Sequence, residues 1–298
     1  MLTIFTTTKP FRGRNALIQH NAIQSWRQLR PACEIILFGD DEGAADIARE
    51  FKLQHIPNVV RNEYGTPLLN TMFVTAQQIS SYPFLCYINA DIILMSDFIA
   101  AVRRIPFRRF LMVSQRWDVE LNQSLDFSHL DWEIRLREYI RSRGSLHPPT
   151  GMDYFVFPRG FWGDIPPFAI GRTVWDNWLI YAARRRGDSV IDVTQTVIAV
   201  HQNHDWSHIP GGEQWAWEGP EAKKNLILAG GSKKAFTILD ANWILTTQGL
   251  IPARKPEHCR RMKETLPILH PYLHFFKKQM TRFLRLPHYI LSILNHLI

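Results

Sequence analysis

The sequence predicts a doubly wound, mostly parallel α/β sheet flanked by helices, and three observations predict it. Short apolar runs rich in Ile, Val, Phe and Thr alternate at close spacing with helical stretches through the first hundred residues. The run Phe84–Ile88 carries no charge, as expected of a strand buried on both faces. Polar residues gather where such runs end, the edge at which open α/β sheets bind ligands. A basic amphipathic helical tail follows, so the expected organisation is one domain over residues 1–253 and a tail over 254–298.

Taken in order, Leu2 to Thr7 reads as the first strand. It runs into the turn Lys9-Pro-Phe-Arg-Gly-Arg14, with three cations. Ile18, Ala22, Trp26 and Leu29 fall on one helical face, and Pro31 ends that helix. Glu34 to Phe38 is a second strand closed by Gly39-Asp40-Asp41, and a short helix leads to Leu53. Val59-Val60 reads as a weak third strand. Thr66 and Pro67 suit the cap and first position of a helix that turns Leu69, Met72, Phe73 and Ala76 inward. After the central strand, Ser96-Asp97 opens a helix and Phe110 to Ser114 forms a strand. A charged helix spans His129 to Arg143, with Glu133 and Arg137 at i,i+4 spacing. Thr173 to Arg186 is helical, and Val190–Val193 and Val197–Val200 are strands.

Composition narrows the function. The chain has 298 residues, 46% hydrophobic and 21% charged, with three widely spaced cysteines that suit a reducing, cytoplasmic compartment rather than a disulfide framework. The N-terminus has no signal-peptide pattern, and no run of eighteen apolar residues occurs. Nine Lys/Arg against two acids from Arg254 onward account for +7 of the net charge of +8. The body is therefore nearly neutral, which argues against a nucleic-acid cleft.

Polar groups at the strand ends suggest a site. Asn89 and Asp91 lie two apart after the central strand and project to one side of an extended backbone. Asp40 follows the second strand, His201 a late strand, and Asp153 and Asp176 come from the second half. Lys9, Arg12 and Arg14 follow the first strand. Cations and carboxylates around one crevice suit a phosphate-rich ligand held with a divalent ion.

This order resembles the GT-A glycosyltransferases, over roughly residues 1–210. The likeness lies in Thr-Thr-Thr-Lys after strand one, Phe-Gly-Asp40 after strand two and Asn-Ala-Asp91 in the place of that fold's D-x-D. It continues in Gly-Met-Asp153, Trp-Asp176 and Val-His201. The resemblance implies a nucleotide-diphosphate sugar donor and a hydroxyl acceptor, either a glycan or a lipid-linked one. Thr7 and Asp40 would contact base or ribose, with Lys9, Arg12 or Arg14 near the pyrophosphate. Asp91 and His201 would hold Mn²⁺ or Mg²⁺, Asp176 would be the base, and Asp153 would bind a sugar; direct attack implies inversion. Asn89 departs from the pattern, offering a cation one carbonyl oxygen and no charge.

Other readings stay open. Thr173-x-x-Asp176 is also a capping box, and Asp40 a turn residue. His201 could be a histidine satisfied at a strand end. His201, His204, Asp205 and His208 could instead bind zinc for hydrolysis. A non-catalytic nucleotide-sugar-binding protein would also accommodate Asn89. In the tail, Leu273, Phe276, Met280 and Phe283 share one helical face beside basic ones, which suits either an anionic membrane surface on the cytosolic side or packing on protein.

Overall fold

The branched and aromatic residues of Leu2–Thr7 form β1, buried on both faces in the interior of a nine-stranded sheet. The computed structural model describes residues 1–205 and 211–271. After β1 come α1 (Gly13–Gln28), β2 (Glu34–Phe38), α2 (Ala44–Phe51), β3 (Gln54–Ile56), α3 (Leu69–Ile79) and β4 (Phe84–Ile88). Next are β5 (Ile92–Ile93), α4 (Ser96–Arg103), β6 (Phe110–Val113), β7 (Arg116–Val119), α5 (Trp132–Arg143), β8 (Ser145–Leu146) and β9 (Tyr154–Pro158). The chain continues through α6 (Trp175–Arg185), β10 (Ser189–Asp192), β11 (Ala199–Gln202), α7 (Gly212–Glu218), α8 (Pro220–Ala229), β12 (Trp243–Leu245), β13 (Leu250–Pro252) and α9 (Pro256–Leu269).

The main sheet has the order β13-β12-β10-β6-β9-β4-β1-β2-β3. Its pairs are parallel except where β9 is inserted between β6 and β4 and where β13 closes one edge. A smaller sheet, β5-β11-β7-β8, stands beside it. The α/β fold with a mostly parallel central sheet is thus present. Two-residue alternation splits the core into two layers. Phe5, Leu85 and Tyr87 face α3 and α6, whereas Ile4, Cys86 and Ile88 face α1 and α4. The helical faces that supply Met72 and Phe73 on one side and Ala22 and Trp26 on the other are those the periodicity predicts. Trp26 also donates its indole N–H to the Ile92 carbonyl at 2.9 Å, locking α1 under β5.

Several local expectations are corrected. The third strand is Gln54–Ile56, which pairs with β2, and Val59-Val60 is not a strand. Thr66 caps nothing: α3 begins at Leu69 after an extended Leu68, because Pro67 bridges back to Arg61 and Leu68 to Ala169. The late strand is Ala199–Gln202 and belongs to the small sheet. The capping box at Thr173 does not form; Val174, with φ of 76°, precedes α6 instead.

The first part of the tail is docked. Leu269 of α9 joins the core, Arg261 Nε donates to Asp240 Oδ2 at 2.9 Å, and Arg185 Nη1 donates to the Leu269 carbonyl at 2.6 Å. The amphipathic segment 273–298 lies outside the described residues, as does His208. Among the described residues no helix is long and apolar enough to cross a membrane.

Phe73 stacks 5.4 Å from Phe157 and 5.5 Å from Tyr87, with Phe5 edge-on at 5.0 Å. Phe73→Ala is expected to cost about 3–5 kcal/mol, read as a lowered midpoint in urea unfolding with an unchanged slope.

Candidate active site

At the carboxyl ends of β1 and β4 lies a cleft of about 890 Å³. Thr7, Lys9, Asp91, Asp176, His201 and His204 all line it. This is the edge where the loops leaving a doubly wound sheet diverge and leave room for a ligand.

The register of the small sheet builds the centre of the cleft. β5 pairs antiparallel with β11, setting His201 opposite Ile92 and beside Asp91. Three residues on, the chain turns His204 back, so that its Nε2 lies 3.1 Å from Asp91 Oδ2. One ligand atom from each of Asp91, His201 and His204 falls within 4.8 Å of the others. The His204 Nδ1 lies 2.7 Å from the Asp205 carbonyl, which can only accept a hydrogen bond. With Nδ1–H on that carbonyl, the doubly protonated ring donates from Nε2 to Asp91, and the neutral ring offers its Nε2 lone pair to a cation instead. Asp91 Oδ1 is buried with no hydrogen-bond partner among the described residues. Burial alone would raise the Asp91 pKa. The hydrogen bond from His204 and the positive groups at His201 and Lys9 outweigh it and hold this carboxyl well below the usual carboxylate range. One anionic oxygen and two imidazoles at this separation fit a divalent transition ion.

Asp118 orients the second imidazole. β7 runs parallel to β11 with His201 opposite Asp118, and His201 Nδ1 lies 3.1 Å from Asp118 Oδ1. The same carboxylate meets His147 Nδ1 at 2.6 Å and accepts from Arg116 Nε at 2.9 Å. Despite desolvation, the hydrogen bond from His147 and the positive groups at Arg116 and His201 hold Asp118 well below the ordinary range. A carboxylate behind a ligating imidazole fixes the ring and raises its basicity. The His147 ring lies against Gly151, where a Cβ would meet its Cδ2 at 2.2 Å; only glycine leaves the imidazole in place.

The antiparallel β4–β9 pair sets Asn89 against Asp153. The Asn89 N–H donates to the Asp153 carbonyl at 2.9 Å, and Asn89 Nδ2 donates to Asp153 Oδ1 at 2.6 Å. The Asn89 carbonyl oxygen accepts from the Tyr87 hydroxyl at 3.2 Å. Its amide is therefore engaged on both sides. Arg116 Nη1 completes the Asp153 carboxylate at 2.8 Å. Asp176, on the first turn of α6, is pushed up to about 7, first by burial and then by the Asp153 charge, against backbone N–H groups and Arg116. A carboxyl with a pKa near neutrality can accept and return protons at working pH.

The cleft gathers Thr7, Lys9, Asn89, Asp91, Asp153, Asp176 and His201 from the sequence-predicted set. Asp40, Arg12 and Arg14 do not line it. Asp40 points outward to Arg61 at 2.7 Å, and its neighbour Asp41 takes the cleft position. Arg12 pairs with Glu42 on the exposed surface. Arg14 instead braces the loop before His204, donating from Nη2 to the Asn203 carbonyl at 2.6 Å and to Glu120 at 2.5 Å. Asp118, Arg116 and His147 were missed. Their signal was the alternation Arg116-Trp-Asp118, which puts both charges on one side of a strand.

No family model matches the chain, and no curated protein matches it. Among solved structures, it is similar to GalNAc-T7 with UDP, GalNAc and Mn²⁺, at 14% identity over 77% of this chain and 48% of that one, with a TM-score of 0.49. It is similar to glucosyl-3-phosphoglycerate synthase from Mycobacterium tuberculosis with Mg²⁺ and UDP, at 14% identity over 78% and 80% of the two chains and a TM-score of 0.46. TarS of S. aureus, residues 1–349, is matched at 12% identity over 42% of this chain, with a TM-score of 0.32; the match spans 39% of the TarS chain.

The raised Asp176 pKa has a consequence for stability. The unfolded chain ionises this group near 4 and the folded chain near 7, so its contribution is present at low pH and is lost as pH rises through 7. Asp176→Asn is expected to stabilise the fold at pH 8 by up to about 4 kcal/mol, read as a raised melting temperature, and the gain should shrink as pH falls toward 5.

Proposed function

We propose that the chain is a glycosyltransferase that moves a sugar from a nucleoside-diphosphate donor to a hydroxyl acceptor. The observation that carries this reading is one cleft holding a triad able to ligate a metal, a half-buried lysine and a carboxyl tuned to neutral pH. Lys9 would pair with the diphosphate, and Thr7, whose buried hydroxyl has no hydrogen-bond partner among the described residues, would reach the ribose or base. Asp41 and Arg61 flank Thr7 at the same end of the cleft. Asp91, His201 and His204 would hold Mn²⁺ or Mg²⁺. When bound, the ion supplies positive charge for the departing diphosphate.

Asp176 in its ionised form would take the proton of the acceptor hydroxyl. Asp153, fixed by Arg116 and Asn89, would hold a sugar hydroxyl and keep the Asp176 pKa raised. Attack assisted by a single base from the face opposite the leaving group inverts the anomeric centre. The domain organisation belongs to the same proposal: a catalytic unit over 1–253 and a tail over 254–298. The basic tail would bring the enzyme to an anionic cytosolic membrane surface and a lipid-linked or glycan acceptor.

A second reading has one observation in its favour. Asp91, His201 and His204 supply the three protein ligands that a catalytic zinc takes. A zinc hydrolase would bind zinc tightly and stoichiometrically with no nucleotide present, whereas the transferase reading couples ion to nucleotide.

Two measurements test the proposal. UDP or GDP with Mn²⁺ is expected to raise the melting temperature by several degrees, more than either alone. Asp91→Ala should abolish that synergy and reduce donor turnover at least about a hundredfold; a variant that keeps both would refute the assignment. For the tail, the full chain is expected to sediment with phosphatidylserine vesicles and to be released by 0.5 M salt, as roughly ionic binding requires; equal sedimentation with neutral vesicles would contradict it.

A further inference from the structure

The candidate metal centre contains its own cation. Lys9 Nζ lies 3.3 Å from His204 Nε2, the atom that also faces Asp91 Oδ2 at 3.1 Å. The Lys9 backbone cannot drift. Its N–H donates to Gln19 Oε1 at 2.6 Å, and Gln19 Nε2 donates to the Lys9 carbonyl at 2.9 Å. Gln19 is fully enclosed in α1. The side chain beyond that clamp is a four-carbon stem, long enough to move its ammonium while the backbone stays fixed.

The charge available to an incoming ion is small. Asp91 is the single carboxylate of the triad, and Asn89, two residues before it, is neutral and spends its amide on Tyr87 and Asp153. Asp118 behind His201 is matched by Arg116. A divalent ion entering this centre would stand beside the Lys9 ammonium, and like charges a few ångströms apart in a partly buried site repel strongly.

We propose that Lys9 couples the two ligands of the site, holding the place of the divalent ion until a diphosphate draws its ammonium away. The diphosphate then serves twice: its oxygens pair with Lys9, and they add anionic ligands to a centre that has one. This inference rests on the metal-dependent reading above and adds to it an obligatory order, with a divalent ion alone binding weakly. The metal site is thereby selective for the ion–nucleotide pair over the free ion.

Electron paramagnetic resonance of free Mn²⁺, titrated with the full chain, reads this without turnover. The wild type should bind Mn²⁺ weakly alone and at least about tenfold more tightly with UDP or GDP present. Lys9→Met should bind Mn²⁺ alone at least about tenfold more tightly than wild type, and the nucleotide should add little. Lys9→Arg, which keeps the charge, should behave as wild type; its melting temperature and that of Lys9→Met report folding. If folded Lys9→Met binds free Mn²⁺ no better than wild type while both bind it with nucleotide, the coupling role of Lys9 is overturned and the metal site stands. If neither protein binds Mn²⁺ with any nucleotide, the metal-dependent reading and the inference fail together.

Discussion

A carboxylate buried with one oxygen unpartnered is the constraint on which the rest of the site depends. Asp91 sits just past a strand whose last four side chains are enclosed, and desolvating its charge is unfavourable unless cations meet it. Two imidazoles and an ammonium converge on it from two other parts of the chain, His201 and His204 from one and Lys9 from the other. The fold delivers them by strand register. β5 and β11 pair to set His201 beside Asp91, and β7 sets Asp118 behind His201. The network runs on through Arg116 to Asp153, which ties the Asp91–His201–His204 cluster to the carboxyl pair at the other side of the cleft.

The two sides of the cleft are tuned in opposite directions. Asp91 and Asp118, surrounded by donors and cations, are held ionised. Asp176, partly desolvated and next to another acid, is pushed toward neutrality. Such a division separates a charge that binds from a carboxyl that exchanges protons. It is destabilising locally: Asp176 would be easier to fold as an amide, and Val174 holds a β-branched side chain at a positive φ to aim the start of α6 into the cleft. Both features lie where the chemistry would be.

Much of this was legible in the sequence because it depended on pattern. Periodicity in Ile18–Leu29 and Leu69–Ala76 placed the helices and their buried faces, and the apolar run at Phe84 placed the central strand. Polar residues at strand ends pointed to Asp91, Asp153, Asp176 and His201. What was hidden depended on pairing between distant segments. Sequence spacing could not show that β9 would run antiparallel beside β4 and so engage Asn89 with Asp153. Nor could it show that Asp118 would fall in register with His201. Asp40 and Asp41 are adjacent acids after one strand, and only the turn decides which of them faces the cleft. Arg14 illustrates the same limit: a cation after strand one looks like a phosphate ligand, yet it is spent on the Asn203 carbonyl and Glu120. Of the four-stranded second sheet, which carries half of the centre, only the strand before His201 was legible; the others are two to four residues long.

The central claim is that two histidines and an aspartate of this chain, together with a diphosphate, surround one divalent ion. Pulsed electron paramagnetic resonance of bound Mn²⁺ in the presence of a nucleoside diphosphate tests it most directly. The account predicts nitrogen couplings from two imidazoles, lost one at a time in His201→Ala and His204→Ala, together with phosphorus couplings from the nucleotide. Phosphorus couplings with no imidazole nitrogen would place the ion on the nucleotide alone and contradict the account.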